Sequence, residues 1–457
     1  MKLKFILAFL FGTYISNLNS QCWLSISGGG SHSAAIRTDG SLWTWGQNSD
    51  GQLGNGTNTP FNYPIQVGIG LYWKQVSCGG YFTIALKNDG TLWAWGRNTS
   101  NELGDGSVIS KNVPVQVGSS NDWKTIDAGY YHCLAIKNDG TLWAWGRNDY
   151  GQVGNGTTIS VVSPMKIGVA SNWKQVSAGG FHCIGLRTDG TIWAWGRNEK
   201  GQLGDGTTTN KNSPLQLGNA TFWKKVVTGG AHSFAIKNDN TLWAWGENDS
   251  GKIGDGTVGV NKLIPTPIGS ATNWLDVDGG GSHSIGLQSD NTIWTWGDNS
   301  FNQLGDGTTI DKLVPAQIGS ITNWSLINAG YNHNLTINSD NSLLSWGLNL
   351  FGQLGDGTSI NKSHPTAINC LGTSINESDV FEMGLGVFPN PCSSFLAIRK
   401  TGEIEIVKLQ LNTFDGKLIT ELIGEVDQLD LTDYPDGLYV LKIYTLTSTL
   451  YLKVIKT

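Results

Sequence analysis

The chain has 457 residues, of which 62 are glycine and 20 are tryptophan, and only 14% are charged. Disordered chains are poor in aromatic residues, so this composition excludes disorder and favours short strands, tight turns and bulky packing residues. The formal net charge of -6 gives no general attraction to nucleic acid or to anionic membranes, so neither is expected as a partner.

Residues 1–20 are organised like a signal peptide. Lys2 and Lys4 form a charged segment, and Phe5 to Phe11 is an apolar run too short to span a bilayer, which needs about 20 residues. Removing this leader leaves 28 basic against 36 acidic residues. A buried N-terminal strand is the alternative, but the charged flank favours a leader. No later segment is long and apolar enough to be transmembrane, so we expect the mature protein to be soluble or attached to a membrane by other means.

Residues 21–370 consist of seven repeats of about 50 residues. A Trp-Gly pair recurs at spacings of 50 or 51, and a second tryptophan lies two residues earlier in six of the seven units. A third tryptophan opens each unit, and the three sets account for all 20 tryptophans. Such self-similarity indicates a repeat architecture. The opening tryptophans are Trp23, Trp73, Trp123, Trp173, Trp223, Trp274 and Trp324, and those before glycine are Trp45, Trp95, Trp145, Trp195, Trp245, Trp296 and Trp346.

The fourth repeat shows how one unit divides into four strands. Residues 173–178, 182–187 and 191–195 alternate like strands, and 214–217 is a short outer strand where Pro214 is tolerated. The hairpin turn between the second and third strands ends in Gly or Asn in every unit, which predicts a positive φ there. Four short strands per 50 residues predict an all-β chain: a seven-bladed β-propeller with large tryptophans packed between blades. We expect this propeller to be a monomer.

Two polar positions in the repeat raise the question of a metal site. Blades arranged in a seven-fold ring do not bring their repeated histidines close enough together to bind one metal ion. Each Gly-Asp-Gly loop offers only one carboxylate, which is too few oxygen ligands for calcium. We therefore expect histidines bonded to neighbouring backbone, Asx turns at the aspartates, and no metal or cofactor. The histidines are His32, His132, His182, His232, His283 and His333, with Phe82 in the second unit, and the loop aspartates are Asp105, Asp205, Asp255, Asp306 and Asp356.

These motifs resemble a known repeat. Val-Ser-Ala-Gly-Gly-x-His, then Asp-Gly, Trp-x-Trp-Gly-x-Asn and Gly-Gln-Leu-Gly-Asp-Gly-Thr, is similar to the regulator-of-chromosome-condensation repeat across all seven units. Kelch blades share the period but lack the Gly-Gln-Leu-Gly-Asp-Gly element. The resemblance implies a seven-bladed propeller. The family includes nucleotide-exchange factors, photoreceptors and secreted inhibitors, so the fold does not determine function.

Cys22 and Cys370 are the candidates for a disulfide that closes the ring. The position equivalent to Cys22 after the seventh unit is about residue 373, so a closed ring brings the two cysteines together although they are 348 positions apart in the sequence. Export into an oxidising compartment permits the bond, and two unpaired cysteines are the alternative.

Candidate partner-binding residues are aromatic side chains at the turn before the repeated histidine and arginines that follow Trp-Gly. Other units have Ser31, Ala231 and Ser282 before the histidine, so the fold does not require bulk there. Strand direction reverses between the two sets, so they could lie on different rims, and local ion pairs are the favoured reading of the arginines. The candidates are Tyr81, Tyr130, Tyr131, Phe181, Tyr331, Arg97, Arg147 and Arg197.

Residues 371–386 read as a linker, and 387–457 alternate like a small C-terminal β-sandwich. The order of elements resembles the type A sorting domain of the bacterial type IX secretion system. That resemblance implies a partner in the secretion machinery, transit through the periplasm, and release or attachment at the outer cell surface, usually with removal of the tail. The motif residues are Phe388, Pro389, Asn390, Pro391, Gly437, Tyr439 and Lys453.

The sequence contains no nucleophile–base pairing, phosphate loop or metal-ligand spacing, so it shows no catalytic residues. The preferred function is a secreted or cell-surface binding scaffold for an extracellular protein or glycan. One alternative is an enzyme that acts on polysaccharide through a cryptic site in the central channel. Another is guanine-nucleotide exchange, which only the resemblance implies.

Overall fold

The computed structural model describes residues 23–68, 72–368, 385–388, 392–400, 405–413, 418–424, 426–445 and 449–456. The predicted leader, the linker to residue 384 and both cysteines of the predicted disulfide lie outside these ranges. The chain divides into two compact units, residues 1–368 and residues 369–457. The regular structure in the described ranges is all strand, and no helix there could cross a membrane.

The first unit contains seven four-stranded antiparallel sheets, each built from strands that follow one another in the chain. The predicted seven-bladed architecture is therefore confirmed. The first strands are Trp23–Gly28, Trp73–Cys78, Trp123–Ala128, Trp173–Ala178, Trp223–Thr228, Trp274–Gly279 and Trp324–Ala329, and the second are His32–Arg37, Phe82–Lys87, His132–Lys137, His182–Arg187, His232–Lys237, His283–Gln288 and His333–Asn338. The third are Leu42–Gly46, Leu92–Gly96, Leu142–Gly146, Ile192–Gly196, Leu242–Gly246, Ile293–Gly297 and Leu343–Gly347, and the fourth are Phe61–Gln66, Lys111–Gln116, Val161–Lys166, Lys211–Gln216, Lys262–Pro267, Lys312–Gln317 and Lys362–Ile368.

Because consecutive strands of each blade are antiparallel, the connections between them lie on two opposite rims of the propeller. Turns between first and second strands lie on the same rim as the long loops between third and fourth strands, which we call the glycine rim. Turns between second and third strands lie on the opposite rim. Their last residue has φ between 77° and 82° where it is Gly, and 60° to 62° where it is Asn240, Asn291 or Asn341. This confirms the predicted positive φ, which Gly and Asn adopt at the lowest cost.

The tryptophan before glycine packs each blade against its neighbour. Trp195 is fully buried, and its ring lies 6.0 Å from that of Trp173 in the same blade. Its Nε1 donates to the carbonyl oxygen of Gln152 in the preceding blade at 3.0 Å. The seventh blade closes on the first in the same way, because Trp45 donates to the carbonyl of Gln353. The repeated tryptophans are thus packing residues, as the repeat predicts.

The repeated histidines form an inter-blade ring that differs in one respect from the prediction. Each buried Nε2 bonds a side chain of the next blade: His32 meets Thr83 at 3.0 Å, and His333 closes the ring on Ser33 at 2.9 Å. The partner is the residue after the next histidine position, a second-strand side chain about 51 residues away. In the described ranges, no group of three or more His, Cys, Asp or Glu side chains could hold a metal ion.

The second unit has two small sheets that share one core. The strands Leu385–Phe388, Phe395–Lys400 and Gln428–Asp430 form a three-stranded sheet; Leu418–Ile423, Ile406–Thr413, Gly437–Thr445 and Thr449–Lys456 form a four-stranded one. Leu396 and Leu429 of the first sheet belong to the same buried cluster as Leu411, Leu441 and Val454 of the second. This arrangement is the β-sandwich that the sequence predicts.

Candidate partner-binding site

The glycine rim carries both sets of candidate residues. The turn after each first strand usually reads Gly-Gly-x, and Tyr81, Tyr131 and Phe181 occupy the third place in blades two to four. Tyr130 and Tyr331 replace the second glycine in blades three and seven. The arginines begin the long loops on the same rim, because the third strand returns the chain to it. The fold therefore brings together residues that the sequence could not assign to one rim.

The aromatic side chains form one continuous chain of ring contacts. Tyr130 is its centre, with ring centroids 5.7 Å from Tyr81, 4.7 Å from Tyr131 and 5.8 Å from Tyr331. Its hydroxyl donates to that of Tyr81 at 3.3 Å, and burial, followed by this hydrogen bond, raises the pKa of Tyr130. Tyr131 continues the chain to Phe181 at 5.7 Å. These spacings lie within the range of favourable aromatic pairs.

The arginines lie between the rings. The guanidinium of Arg97 is 5.6 Å from the ring of Tyr81 and 5.3 Å from that of Tyr131. Arg147 is 5.4 Å from both Tyr131 and Phe181. Each guanidinium is therefore within the distance of a cation–π contact with two rings.

Local acids balance these charges. Arg97 lies 3.6 Å from the fully buried Glu102, whose pKa burial raises, while Arg147 pairs with Asp149 and Arg197 with Glu199. The side chains of the three arginines are still 30–34% exposed. Their charges are thus largely neutralised within the chain by local ion pairs, so their long-range electrostatic attraction for a partner is weakened.

Sequence reasoning missed Tyr150, which extends the chain of rings. Its ring lies 5.4 Å from Phe181 and under the guanidinium of Arg197, at 5.0 Å. The sequence signal was weak, because this place in the repeat is aromatic in three blades. It is Tyr150, Phe301 and Phe351 in those blades, and Asp50, Ser100, Lys200 and Ser250 in the others. We call the full set the aromatic–arginine cluster: Tyr81, Tyr130, Tyr131, Tyr150, Phe181, Tyr331, Arg97, Arg147 and Arg197.

The central channel is a cavity of about 140 Å³ lined by small residues, glycine turns and the rings of Tyr130 and Tyr331. Asp127 and Asp278 also line it, and burial raises their pKa values to about 6 and about 7. Their oxygens accept hydrogen bonds from the next blade, at 2.8 Å from the Ala178 N–H and 2.9 Å from that of Ala329. These carboxylates therefore serve contacts between blades.

The Gly-Asp-Gly loops are held from within. The Oδ1 of Asp205 accepts from the N–H of Thr207 at 2.9 Å, and Asn198 donates to the same oxygen. Lys211 pairs with the other carboxylate oxygen at 3.2 Å. This is the Asx turn that the sequence predicts, with a lysine taking the remaining charge.

The comparison with protein families agrees with the geometry of the blades. Residues 13–222 match the RCC1-like domain, and 239–287, 290–337 and 340–380 match the regulator of chromosome condensation (RCC1) repeat. The chain belongs to the RCC1-repeat family. The resemblance that the sequence motifs predicted is therefore confirmed. No match is found among curated proteins.

Solved structures show the same propeller. Human WBSCR16 superposes with a TM-score of 0.67 at 22% identity, over 73% of this chain and 94% of that one. Yeast RCC1 (Prp20), in a complex with Kap60, gives 0.67 at 19% identity, over 84% and 92%. At these identities the likeness shows the fold of the RCC1-repeat propeller and leaves its ligand open.

The tail of the RCC1-repeat chain matches a secretion-system C-terminal sorting domain over residues 386–457. The protein is therefore exported to the outer cell surface or secreted. Gly437 opens a central strand in which the buried Tyr439 donates to the Pro435 carbonyl at 2.5 Å. Phe388 ends the first strand of the tail and Lys453 pairs in register with Val440, while the prolines and asparagine at 389–391 lie outside the described residues.

Proposed function

We propose that this RCC1-repeat propeller is an exported binding protein whose partner, a protein or a glycan, docks on the aromatic–arginine cluster. The observation that carries the proposal is the continuous packing of six aromatic rings and three arginines at one rim. Aromatic and arginine side chains dominate the binding energy of many interfaces. Export removes the chain from cytoplasmic GTPases, so the nucleotide-exchange alternative gains no support from the fold alone.

The cluster is compatible with binding because the fold does not need it. Ser31 and Ala231 occupy the place of Tyr131 in other blades, and five blades have glycine where Tyr130 and Tyr331 stand. Tyr331 keeps 44% of its surface exposed. Rings that are optional for packing and open to solvent are candidates for contact with a partner.

The test compares two double variants of the mature protein. Tyr131→Ala with Phe181→Ala removes two rings of the cluster, and Phe301→Ala with Phe351→Ala removes two exposed rings of the same rim outside it. Each protein is presented to cell-envelope extract, culture supernatant and a glycan array. We expect a ligand that binds the wild type and the control but binds the cluster variant about 30-fold more weakly, corresponding to about 2 kcal/mol, at an unchanged melting temperature.

Two results would contradict the proposal. Equal binding by the cluster variant would move the search to the opposite rim. A fall in melting temperature together with affinity would assign Tyr131 and Phe181 to the core.

A further inference from the structure

Five blades place a cationic side chain on a pair of tryptophan rings. The cationic residue is the last residue of the second strand. Its charged group lies 3.4–4.6 Å from the ring centroid of the blade's second tryptophan and 4.7–5.3 Å from the ring centroid of the first. Such positions within about 6 Å of an aromatic face are attractive for a cation. The five side chains are Arg37, Lys87, Lys137, Arg187 and Lys237.

The sixth blade keeps the rings but not the cation. Trp274 and Trp294 lie 6.3 Å apart with their planes at 70°, close to the 6.3 Å and 80° of Trp73 and Trp93 in the second blade. Gln288 pairs with Trp274 in the same register in which Lys87 pairs with Trp73. Its amide oxygen accepts from Asn273 at 3.0 Å. The sixth blade therefore has the same pair of tryptophan rings as the other blades, but an uncharged amide in place of the cation.

A groove opens beside this pair, between the outer strands of blades five and six. It encloses about 370 Å³ and is lined by Trp274, Trp294, Gln288, Pro267 and Pro315, among others. This volume is within the range of ligand-binding pockets.

One charged side chain lines the same groove. The carboxylate of Asp255 contributes to its wall and is ion-paired with Lys262 at 2.5 Å. The groove is thus lined mainly by aromatic, apolar and small residues, together with the polar Ser270 and Gln288 and the acidic Asp255, and no lysine or arginine is among the residues that line it.

We propose that this groove, the blade-six groove, binds a lysine or arginine side chain of a second protein at the place where five other blades hold their own cation. The other blades of the same molecule show that these paired rings accept a cation. The site is independent of the aromatic–arginine cluster, which lies on the glycine rim. Its occupant therefore need not be the partner proposed there.

The experiment uses the mature protein with ¹⁵N-labelled tryptophan, so that each indole N–H gives one NMR signal, and Trp294→Phe identifies the signal of Trp294. The probes are N-acetyl-arginine amide and N-acetyl-lysine amide, with the neutral analogues N-acetyl-citrulline amide and N-acetyl-norleucine amide as controls. We expect the cationic probes to shift the Trp294 signal and to bind about fivefold more tightly than the neutral ones.

Two matched variants locate the site. Gln288→Lys installs the residue of blades two, three and five, so it should place the chain's own cation against Trp294 and abolish the shift caused by the probes. Lys87→Gln copies the sixth blade into the second, and we expect the Trp93 signal to become sensitive to the cationic probes. Equal binding of neutral probes, a shift that persists in Gln288→Lys, or a stronger response of Trp294 to N-acetylglucosamine would overturn the proposal.

Discussion

The Nε2–H of His283 donates to the Oδ1 of Asn334 in the next blade at 3.1 Å. The orientation of this amide is set by its other end, because the Nδ2 of Asn334 donates to the Gln303 carbonyl at 2.7 Å. The same logic applies where the partner is a hydroxyl: Ser33 donates its proton to the Gln353 carbonyl and must accept from His333. The ring of histidines is therefore neutral and carries its proton on Nε2.

We predict that the propeller loses stability as the pH falls from about 6.5 toward 4. Burial lowers the pKa of His32, His132, His182 and His333 to about 3, and that of His283 to about 4, from 6.5. The unfolded chain therefore takes up protons that the folded chain does not, and each net proton costs about 1.4 kcal/mol per pH unit. Burial also lowers the pKa of His232, which makes six histidines. The raised pKa values of Asp127, Asp278 and Glu102 act in the opposite sense, but they are three groups against six. Urea unfolding at pH 7, 6, 5 and 4 measures the slope, and a flat profile would contradict the assignment.

We predict that the variant His283→Phe is less stable than the variant His132→Phe. His132 bonds the thiol of Cys183 at 3.0 Å, and its replacement reproduces the natural pair of Phe82 with Cys133 in the neighbouring blades. We expect a loss below about 1 kcal/mol, with a shallower acid slope. His283→Phe leaves the buried Oδ1 of Asn334 without its donor, at a cost of about 1–3 kcal/mol. Equal unfolding midpoints for the two variants would show that the hydrogen bond contributes little.

Glu247 and Lys252 form a buried pair on the glycine rim, with 2.7 Å between Nζ and Oε2 and a Lys252 side chain that is 1% exposed. We predict that Glu247→Gln destabilises the protein by about 3 kcal/mol, because it leaves a buried ammonium without its principal partner. Lys252→Gln should be nearly neutral, since glutamine occupies that place in five other blades. Chemical denaturation of both variants gives the comparison, and the reverse order of stability would refute the explanation.

Cys22 and Cys370 are predicted to form a disulfide in the exported protein. In the loop-entropy model, closing so long a loop contributes up to about 5 kcal/mol. Non-reducing peptide mapping of the mature protein should recover the two cysteines as one linked pair. Cys392→Ala, made in a chain that keeps its tail, is the matched control and should leave that pair intact. Recovery of Cys22 and Cys370 as free thiols would reject the bond.

Deletion of residues 387–457 is predicted to leave a folded propeller that stays in the periplasm. The buried cluster of the second unit is made only of residues in the tail, so its removal takes no side chain from the cores of the blades. Cell fractionation and thermal melting of the truncated protein check both statements. Normal surface display of the truncated chain would show that the tail is dispensable for export.

The fold could be predicted from the sequence because the local patterns that determine it recur seven times. The tryptophans at Trp193 and Trp195, the alternation along each strand and the Gly or Asn at the hairpin position act over a few residues, through backbone conformation and burial. The number of these repeats, each 50 or 51 residues long, then gives the number of blades. The outer strand was the least certain element: in the fourth blade it begins at Lys211, before the predicted start at Pro214, since its polar residues carry a weak pattern.

The tertiary structure alone decided which residues meet between blades. The partner of His32 is Thr83, the carboxylate of Asp127 reaches the Ala178 backbone, and the ring of Tyr130 meets that of Tyr331 four blades away. Nothing in the repeat specifies these pairs, because they depend on the angle at which consecutive sheets pack and on closure of the ring. The ion pair of Arg147 with Asp149 is likewise seen only in the tertiary structure. The missing cation at Gln288 could be recognised only when the blades were compared at equivalent positions in space.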